Sequence, residues 1–533
     1  MTSKQKRIFF LLLFISIIYF AAFIPANNTG AKDQMMISLF ETDEFAQYPI
    51  ALRMVEAADS VKQNLINFFI YGHYYYGWPF YASSALTILS GILWKGYGDT
   101  QLNMLLLRQL ISVLPMLAAL QLLVYVQTKF QSYKRSIGLF LFLLSVSAVV
   151  ENNLWWHVDS LAVLFVVLVI YFLDKDDLRF GRDFYFAAAS IGLATGTKVI
   201  GLFFALAIPS YLLLGMYQKQ LTWRTAAIRA AAFVGLMAAV ILISNPFLIY
   251  RSQFNKMVGI LSMQAASQTS GWVLTYAKGP ASWLEIIKDL YGQLFFIALA
   301  FLALAIGLWR KESRTRSLVI AMWSIPFGLY VLYAIAIKPT HFFLPILLPV
   351  YGCLPMLFDI PLFKNKNKPL VWLWSGLVLA VIGYQTVIYI NKDVEIYRNV
   401  LTREEREESI VFYHVIERDV LSQIPSDVEL EILRDVRMYF PDSTRVTIKS
   451  YWKGRYSTVE DTQPDMILLW TQRIVDYTQE GALESAVDPA DFQDIYQFYL
   501  DAKNEQLRGY HLVYRDAEGQ LFVKDELYEE YLK

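Results

Sequence analysis

Residues Phe184–Met216, FYFAAASIGLATGTKVIGLFFALAIPSYLLLGM, form a 33-residue run whose only charge is Lys198. At about 1.5 Å per residue it is too long for one straight crossing of a hydrocarbon core of about 30 Å. Basic clusters flank it on both sides, Lys175/Arg179/Arg182 before and Lys219/Arg224/Arg229 after. Lysine and arginine mark the cytoplasmic side, so the chain must leave and return within the run. This predicts a hairpin of two short spans turning near Gly192–Gly196, with Lys198 at or near the outer face.

Composition extends that reading to the whole chain. Of 533 residues, 56% are hydrophobic and only 18% charged, with a mean hydropathy of +0.38. Several charge-free runs reach spanning length, which excludes a soluble globular protein. Aromatic residues make up 16%, as expected where rings sit at headgroup level. Lys+Arg and Asp+Glu both number 47, so only the placement of charge is informative. Cys353 stands alone in an apolar run, which rules out an intrachain disulfide.

Further basic clusters lie at Lys4/Lys6/Arg7, Lys129/Lys134/Arg135, Arg310/Lys311/Arg314/Arg316 and Lys364/Lys366/Lys368. With all six on the cytoplasmic side, an even number of crossings separates each neighbouring pair. Ile8–Ile24 then goes out as a retained first helix and Leu102–Val126 returns. Trp78–Trp94 becomes an interfacial or re-entrant helix within a first outer loop, 26–101. Ile137–Val150, Ala230–Tyr250, Leu318–Ile337 and Val371–Ile390 go out; Ser160–Leu173, Leu290–Leu308 and Phe342–Phe358 return. The expected fold is a polytopic α-helical membrane protein of about eleven transmembrane helices, residues 1–391, with a cytoplasmic N-terminus. Residues 392–533 turn charged and mixed and read as a soluble extracytoplasmic α/β domain. Its expected strands include Val428–Leu433, Arg445–Ile448 and Met466–Leu469, and two more about the turn Asp516–Gly519.

Polar groups that this topology leaves unexplained gather on the outer side. Glu41, Asp43 and Glu44 place three carboxylates in four positions beside the membrane, where desolvation is costly without a cation, a partner or a reaction. A solvated acidic helix start is the alternative. His73 lies in the same loop among tyrosines, as a site residue or an interfacial ring. Arg108 opens the second span, as a ligand or a snorkelling cation. His157-Val158-Asp159 precedes the fourth span as site residues or a helix cap. Lys198, Lys338 and His341 complete the rim. A rim open to water on one side and lipid on the other suits chemistry on a lipid-borne substrate.

The order of these features resembles the glycosyltransferase class C superfamily, closest to its protein O-mannosyltransferase and aminoarabinose-transferase branch. The resemblance rests on Asp43-Glu44, the aromatic segment Tyr71–Tyr81, Arg108, His157-Val158-Asp159, Gly192–Lys198, Ser244-Asn245-Pro246-Phe247 and His341-Phe342-Phe343-Leu344-Pro345. It implies inverting transfer of a sugar from a polyprenyl-phosphate carrier to an acceptor hydroxyl on a glycan, protein or lipid, at the extracytoplasmic face of the plasma membrane. It also implies Asp43 as general base, with Glu44 and Asp159 in support. Developing charge on the leaving phosphate calls for fixed cations, for which Lys198, Arg108 and His341 are the candidates and Lys338 a weaker one. His157 and His73 are placed with them as substrate-binding residues. No cofactor is required by this reading. Glu41-Thr42-Asp43 also looks like the acidic metal pair of oligosaccharyltransferases, the route by which a divalent metal would enter. No nucleic-acid partner is expected. A transporter or flippase of lipid-linked sugars is the rival reading; it predicts charges near the bilayer midplane and broken helices.

Overall fold

The computed structural model describes residues 1–96, 98–359 and 368–533. Among them, seven helices are long and apolar enough to cross a membrane: Ser3–Asn27, Thr100–Thr128, Val199–Tyr217, Trp223–Ile243, Arg314–Ala334, Thr340–Phe358 and Pro369–Leu401. The pair Pro280–Tyr291 and Leu294–Trp309, bent by 81°, makes up to eight. Asp159–Asp176 and Arg182–Thr197 pack beside them with buried apolar faces. This is a polytopic helical bundle with a small sheet domain after it.

Two of the basic clusters are tied together by ion pairs through shared carboxylates. Asp174 binds both Lys129 and Arg316, and Asp359 binds both Arg135 and Arg310. Gln5 of the N-terminal segment donates to the Lys129 carbonyl over 2.8 Å. Lys364 and Lys366, and the side chain of Lys368, lie outside the described residues.

The hairpin expected within Phe184–Met216 is present, with its turn slightly later. The helix runs through Gly192 to Thr197, Lys198 is extended, and a 3₁₀ segment Val199–Leu206 begins the return. The reversal packs Gly201 so closely on the Ala194–Thr195 backbone that no Cβ would fit.

The C-terminal domain holds one five-stranded sheet: β1 Leu430–Asp435, β2 Val446–Tyr451, β3 Met466–Trp470, β4 Tyr510–Arg515 and β5 Gly519–Lys524. Their order is β2-β1-β3-β5-β4. The first three are parallel and the last two join antiparallel. Alternation along β3 sends Ile467 and Leu469 to one apolar core and Met466 and Leu468 to the other, as a sheet covered on both faces requires. The boundary expected at residue 391 falls within the 34-residue helix Lys368–Leu401, which runs from the bundle towards this domain.

One core crosses the expected division. Helix α1 spans Ser3–Asn27, and after it come α2, Gln34–Phe40, and α3, Thr42–Arg53. Met36 and Leu39 of α2 sit in the sheet domain's core with Phe412, Ile416 and Leu468. The segment leading into Asp43 is therefore built on the C-terminal domain rather than on the membrane bundle. Leu274 pairs with Ala486 in a second tether.

Candidate active site at the junction of bundle and domain

Asp33 caps α2 by accepting from the Met36 amide over 2.7 Å. Helix α2 ends where Glu41 turns extended, and α3 restarts at once with Asp43 and Glu44 in its first turn, where carboxylates favour the helix dipole. Being adjacent, the two point to different surroundings.

Glu44 is fully buried and accepts from Arg108 Nε at 2.9 Å and from the Trp156 amide at 2.6 Å. Arg108 is equally buried. It opens a π-helical turn and also donates to the Asn27 and Thr29 carbonyls at 2.9 and 2.8 Å. Glu44 and Arg108 thus join α1, α3, the Thr100–Thr128 helix and the loop before Asp159. Arg108's hydrogen bonds are all made inside the protein, to Glu44 and the two carbonyls.

Asp43, by contrast, keeps 53% of its side chain exposed, with Oδ2 3.9 Å from His157 Nε2. His157 is fully buried and central. Its Nδ1 lies against Asp159 Oδ2, its Nε2 is 2.7 Å from the Tyr76 hydroxyl, and Trp155 stacks on its ring at 4.2 Å and 10°. Ser112 fixes this loop, donating to the Trp155 carbonyl over 2.7 Å and accepting from the His157 amide. Asp159, also fully buried, meets Lys198 Nζ at 2.9 and 3.0 Å and His341 Nε2 at 3.5 Å. The Lys198 ammonium lies 5.8 Å from the Tyr76 ring centre and 5.1 Å from that of Phe342, close enough for cation–π attraction. Burial, Asp43 and Asp159 hold the Tyr76 phenol well above its ordinary value, so it stays a hydroxyl donor.

The Lys198 turn is held beside Tyr76 by a backbone contact that only glycine permits. The Gly77 amide donates to the Thr197 carbonyl at 2.9 Å, and a Cβ on Gly77 would sit 1.5 Å from the Gly196 oxygen. Asn245 bridges the same two strands of chain. Its side-chain amide donates to the Gly196 carbonyl at 3.0 Å and its oxygen accepts from the Trp78 amide at 2.9 Å. Lys198 in turn stands at one end of a cavity of about 380 Å³ lined by Tyr75, Phe203, Leu206, Leu261 and Tyr330. One charged rim group thus meets an apolar groove.

The structure brings Asp43, His157, Asp159, Lys198 and His341 together. His73 is half-buried in the same loop, bonded through Nδ1 to the Tyr81 hydroxyl. Burial, with help from Lys256, lowers its pKa to about 4, so it is a neutral ring at pH 7. Lys338 donates to the Ala277 carbonyl at 2.8 Å and covers Trp283. Glu41 and Asp43 do not converge with a third donor among the described residues. Ligand atoms of His157, Asp159 and His341 do lie within 4.8 Å of one another, as in a metal site. Lys198 on both Asp159 oxygens already supplies the cation there, so the group is an ion cluster. Tyr76, Trp155 and Ser112 were not singled out as site residues from sequence; the tyrosine run 74–76 was the available signal.

No protein-family model matches the chain, and no curated protein matches it. Among solved structures it is similar to ArnT from Cupriavidus metallidurans bound to undecaprenyl phosphate, with TM-score 0.53 and 12% identity over 97% of this chain and 98% of that one. Against the same protein in the apo state the TM-score is 0.51, at 12% identity over 96% and 97%. An oligosaccharyltransferase of Archaeoglobus fulgidus, in complex with zinc and sulfate, gives 0.41 at 12% identity over 86% and 68%. The ArnT likeness spans bundle and sheet domain alike, so this chain shares the fold of that structure.

Proposed function

We propose that the chain transfers a sugar from a polyprenyl-phosphate carrier to an acceptor hydroxyl, with inversion at the anomeric carbon. One observation carries this reading: an exposed carboxylate, Asp43, faces a buried His157–Asp159–Lys198 cluster that opens onto an apolar groove. The groove suits an isoprenoid tail, and the undecaprenyl phosphate bound in the ArnT structure supports a carrier of that class. Lys198 is the cation for the leaving phosphate, with His341 beside it. Asp43 takes the proton of the attacking hydroxyl, a role typically worth 10²–10⁴-fold. Glu44 and Arg108 hold α3 in place, and Asp159 orients His157 and Lys198. Clustering of Lys129, Arg135, Arg310 and Arg316 supports a cytoplasmic placement of that end, with the sheet domain and the site extracytoplasmic.

The test is release of undecaprenyl phosphate, together with sugar transfer to membrane lipid, by the full chain in nanodiscs. Donors would be undecaprenyl-phosphate-linked mannose, glucose and aminoarabinose. Wild type releases carrier from one of them and Asp43→Asn abolishes release while folding normally. Turnover undiminished in Asp43→Asn would remove the base, and movement of donor between leaflets without release would favour a flippase.

A further inference from the structure

We infer that His157 is the second station for the acceptor's proton, receiving it from Asp43 and held for that task by Asp159. The inference rests on Asp43 being the base. Its own ground is the alignment of two carboxylates on opposite nitrogens of one buried ring.

Asp159 Oδ2 lies against Nδ1, and a ring that carries its proton on that side keeps the Nε2 lone pair on the side of Tyr76 and Asp43. Nε2 lies 2.7 Å from the Tyr76 hydroxyl and 3.9 Å from Asp43 Oδ2. A carboxylate rotation or one bridging water closes that gap. Trp155, stacked at 4.2 Å, prevents the ring from tipping away from this line. The charged and titratable groups on His157 come from several elements: Asp43 from α3, Tyr76 from the loop ahead of Trp78, Asp159 from the Asp159–Asp176 helix and His341, with Lys198 of the hairpin turn reaching the ring through Asp159. A ring between two carboxylates is well placed to become transiently positive, while Lys198 offsets one of those charges.

The step balances without a co-reactant. The acceptor oxygen bonds the anomeric carbon as the carbon–oxygen bond to phosphate breaks, and that electron pair leaves on the phosphate. The hydroxyl proton passes to Asp43, then to His157 Nε2, and to water when the product departs. Asp43 is thereby an ionised base again before the next acceptor arrives. His157 touches no reacting atom in this scheme and acts through Asp43, as a positioning and relay residue.

Single-turnover carrier release by the full chain in nanodiscs, with the active undecaprenyl-phosphate donor saturating, would be followed against pH for wild type, His157→Gln and Asp43→Asn. Glutamine can still bond Tyr76 and Asp159, so the fold is kept, but it cannot carry a proton at neutral pH. Wild type should slow on the acid side of its pH profile, since a ring that already holds a proton on Nε2 cannot take the acceptor's. His157→Gln should be slower by roughly 100-fold, lack that acid limb, and leave the donor's KM within about threefold. An inactive Asp43→Asn beside a His157→Gln that keeps the acid limb would overturn the relay and leave Asp43 standing as base. An active Asp43→Asn would overturn both.

Discussion

Lys198 Nζ lies 2.9 and 3.0 Å from the two oxygens of Asp159, a residue 39 positions earlier on a different helix. The pair is almost wholly buried, with 7% and 0% of the side chains exposed. It fastens the hairpin turn to the start of a neighbouring helix and leaves the ammonium beside the apolar cavity. A charge in such surroundings persists only when paired, and the pairing decides where the cation can serve.

That gives the first prediction. Lys198→Met leaves Asp159 buried without its cation, and removing one partner of such a pair costs about 3–5 kcal/mol. Lys198→Met with Asp159→Asn leaves no naked charge, so it should melt well above the single Lys198→Met variant in detergent thermal unfolding. On the role proposed for Lys198 at the leaving phosphate, both should lose roughly 10²-fold or more in carrier release. A double variant with near-normal release would separate Lys198 from the chemistry.

The Glu44–Arg108 pair should behave differently. Its guanidinium is enclosed by Glu44 and two carbonyls, so its role is to hold α3 against the bundle. Arg108→Met alone should destabilise by about 3–5 kcal/mol, and Glu44→Met with Arg108→Met should recover much of that loss. The check is thermal unfolding of both variants beside wild type. A double variant no more stable than Arg108→Met would show that the carbonyl contacts, rather than Glu44, dominate.

Much of this was readable before any coordinates. Apolar runs and basic clusters gave the bundle, since burial and membrane insertion depend on composition over long windows. The strands at β1, β2 and β3 followed from short apolar runs, and the β4–β5 hairpin from the turn Asp516–Gly519. What the sequence could not separate was Asp43 from Glu44. The two are neighbours of similar acidity, and only tertiary packing makes one exposed and the other an arginine clamp. The same holds for Arg108, whose partners lie 64 or more positions away. Met36 and Leu39 looked like loop residues because their apolar partners are supplied by a sheet nearly four hundred positions later.

Glu41 supplies a pH prediction. Burial, and then the adjacent Glu44 carboxylate, push its pKa up to about 8, against the pull of Arg403, Arg108 and Arg437. The folded value lies above the ordinary one of about 4.3, so the fold prefers the neutral acid. Its contribution to stability is complete below the ordinary value and is lost as pH rises through the folded one. Glu41→Gln cannot ionise, so its thermal stability should gain on wild type steadily between about pH 5 and pH 8. Melting curves that shift in parallel across that range would show that Glu41 is ionised throughout.

The last prediction concerns the sheet domain. Arg437 donates to the Leu39 carbonyl at 2.9 Å, Arg434 to the Ser38 hydroxyl at 2.8 Å, and Tyr439 to Asp33 at 2.9 Å. These bonds reach from the end of β1 and the turn after it to the helix that ends three residues before Asp43. Arg437 touches neither the cavity residues nor the ion cluster, so Arg437→Ala should leave donor affinity unchanged. It frees the carboxyl end of α2, and displacing a reacting group by an ångström can cost up to about 100-fold in rate. A fall in kcat of roughly tenfold at constant donor KM is therefore expected, read from carrier release at saturating donor. Because Met36 and Leu39 still anchor α2 in the domain core, the variant should retain its melting temperature. A rise in KM with unchanged kcat would mean that this contact shapes the groove instead of aiming Asp43.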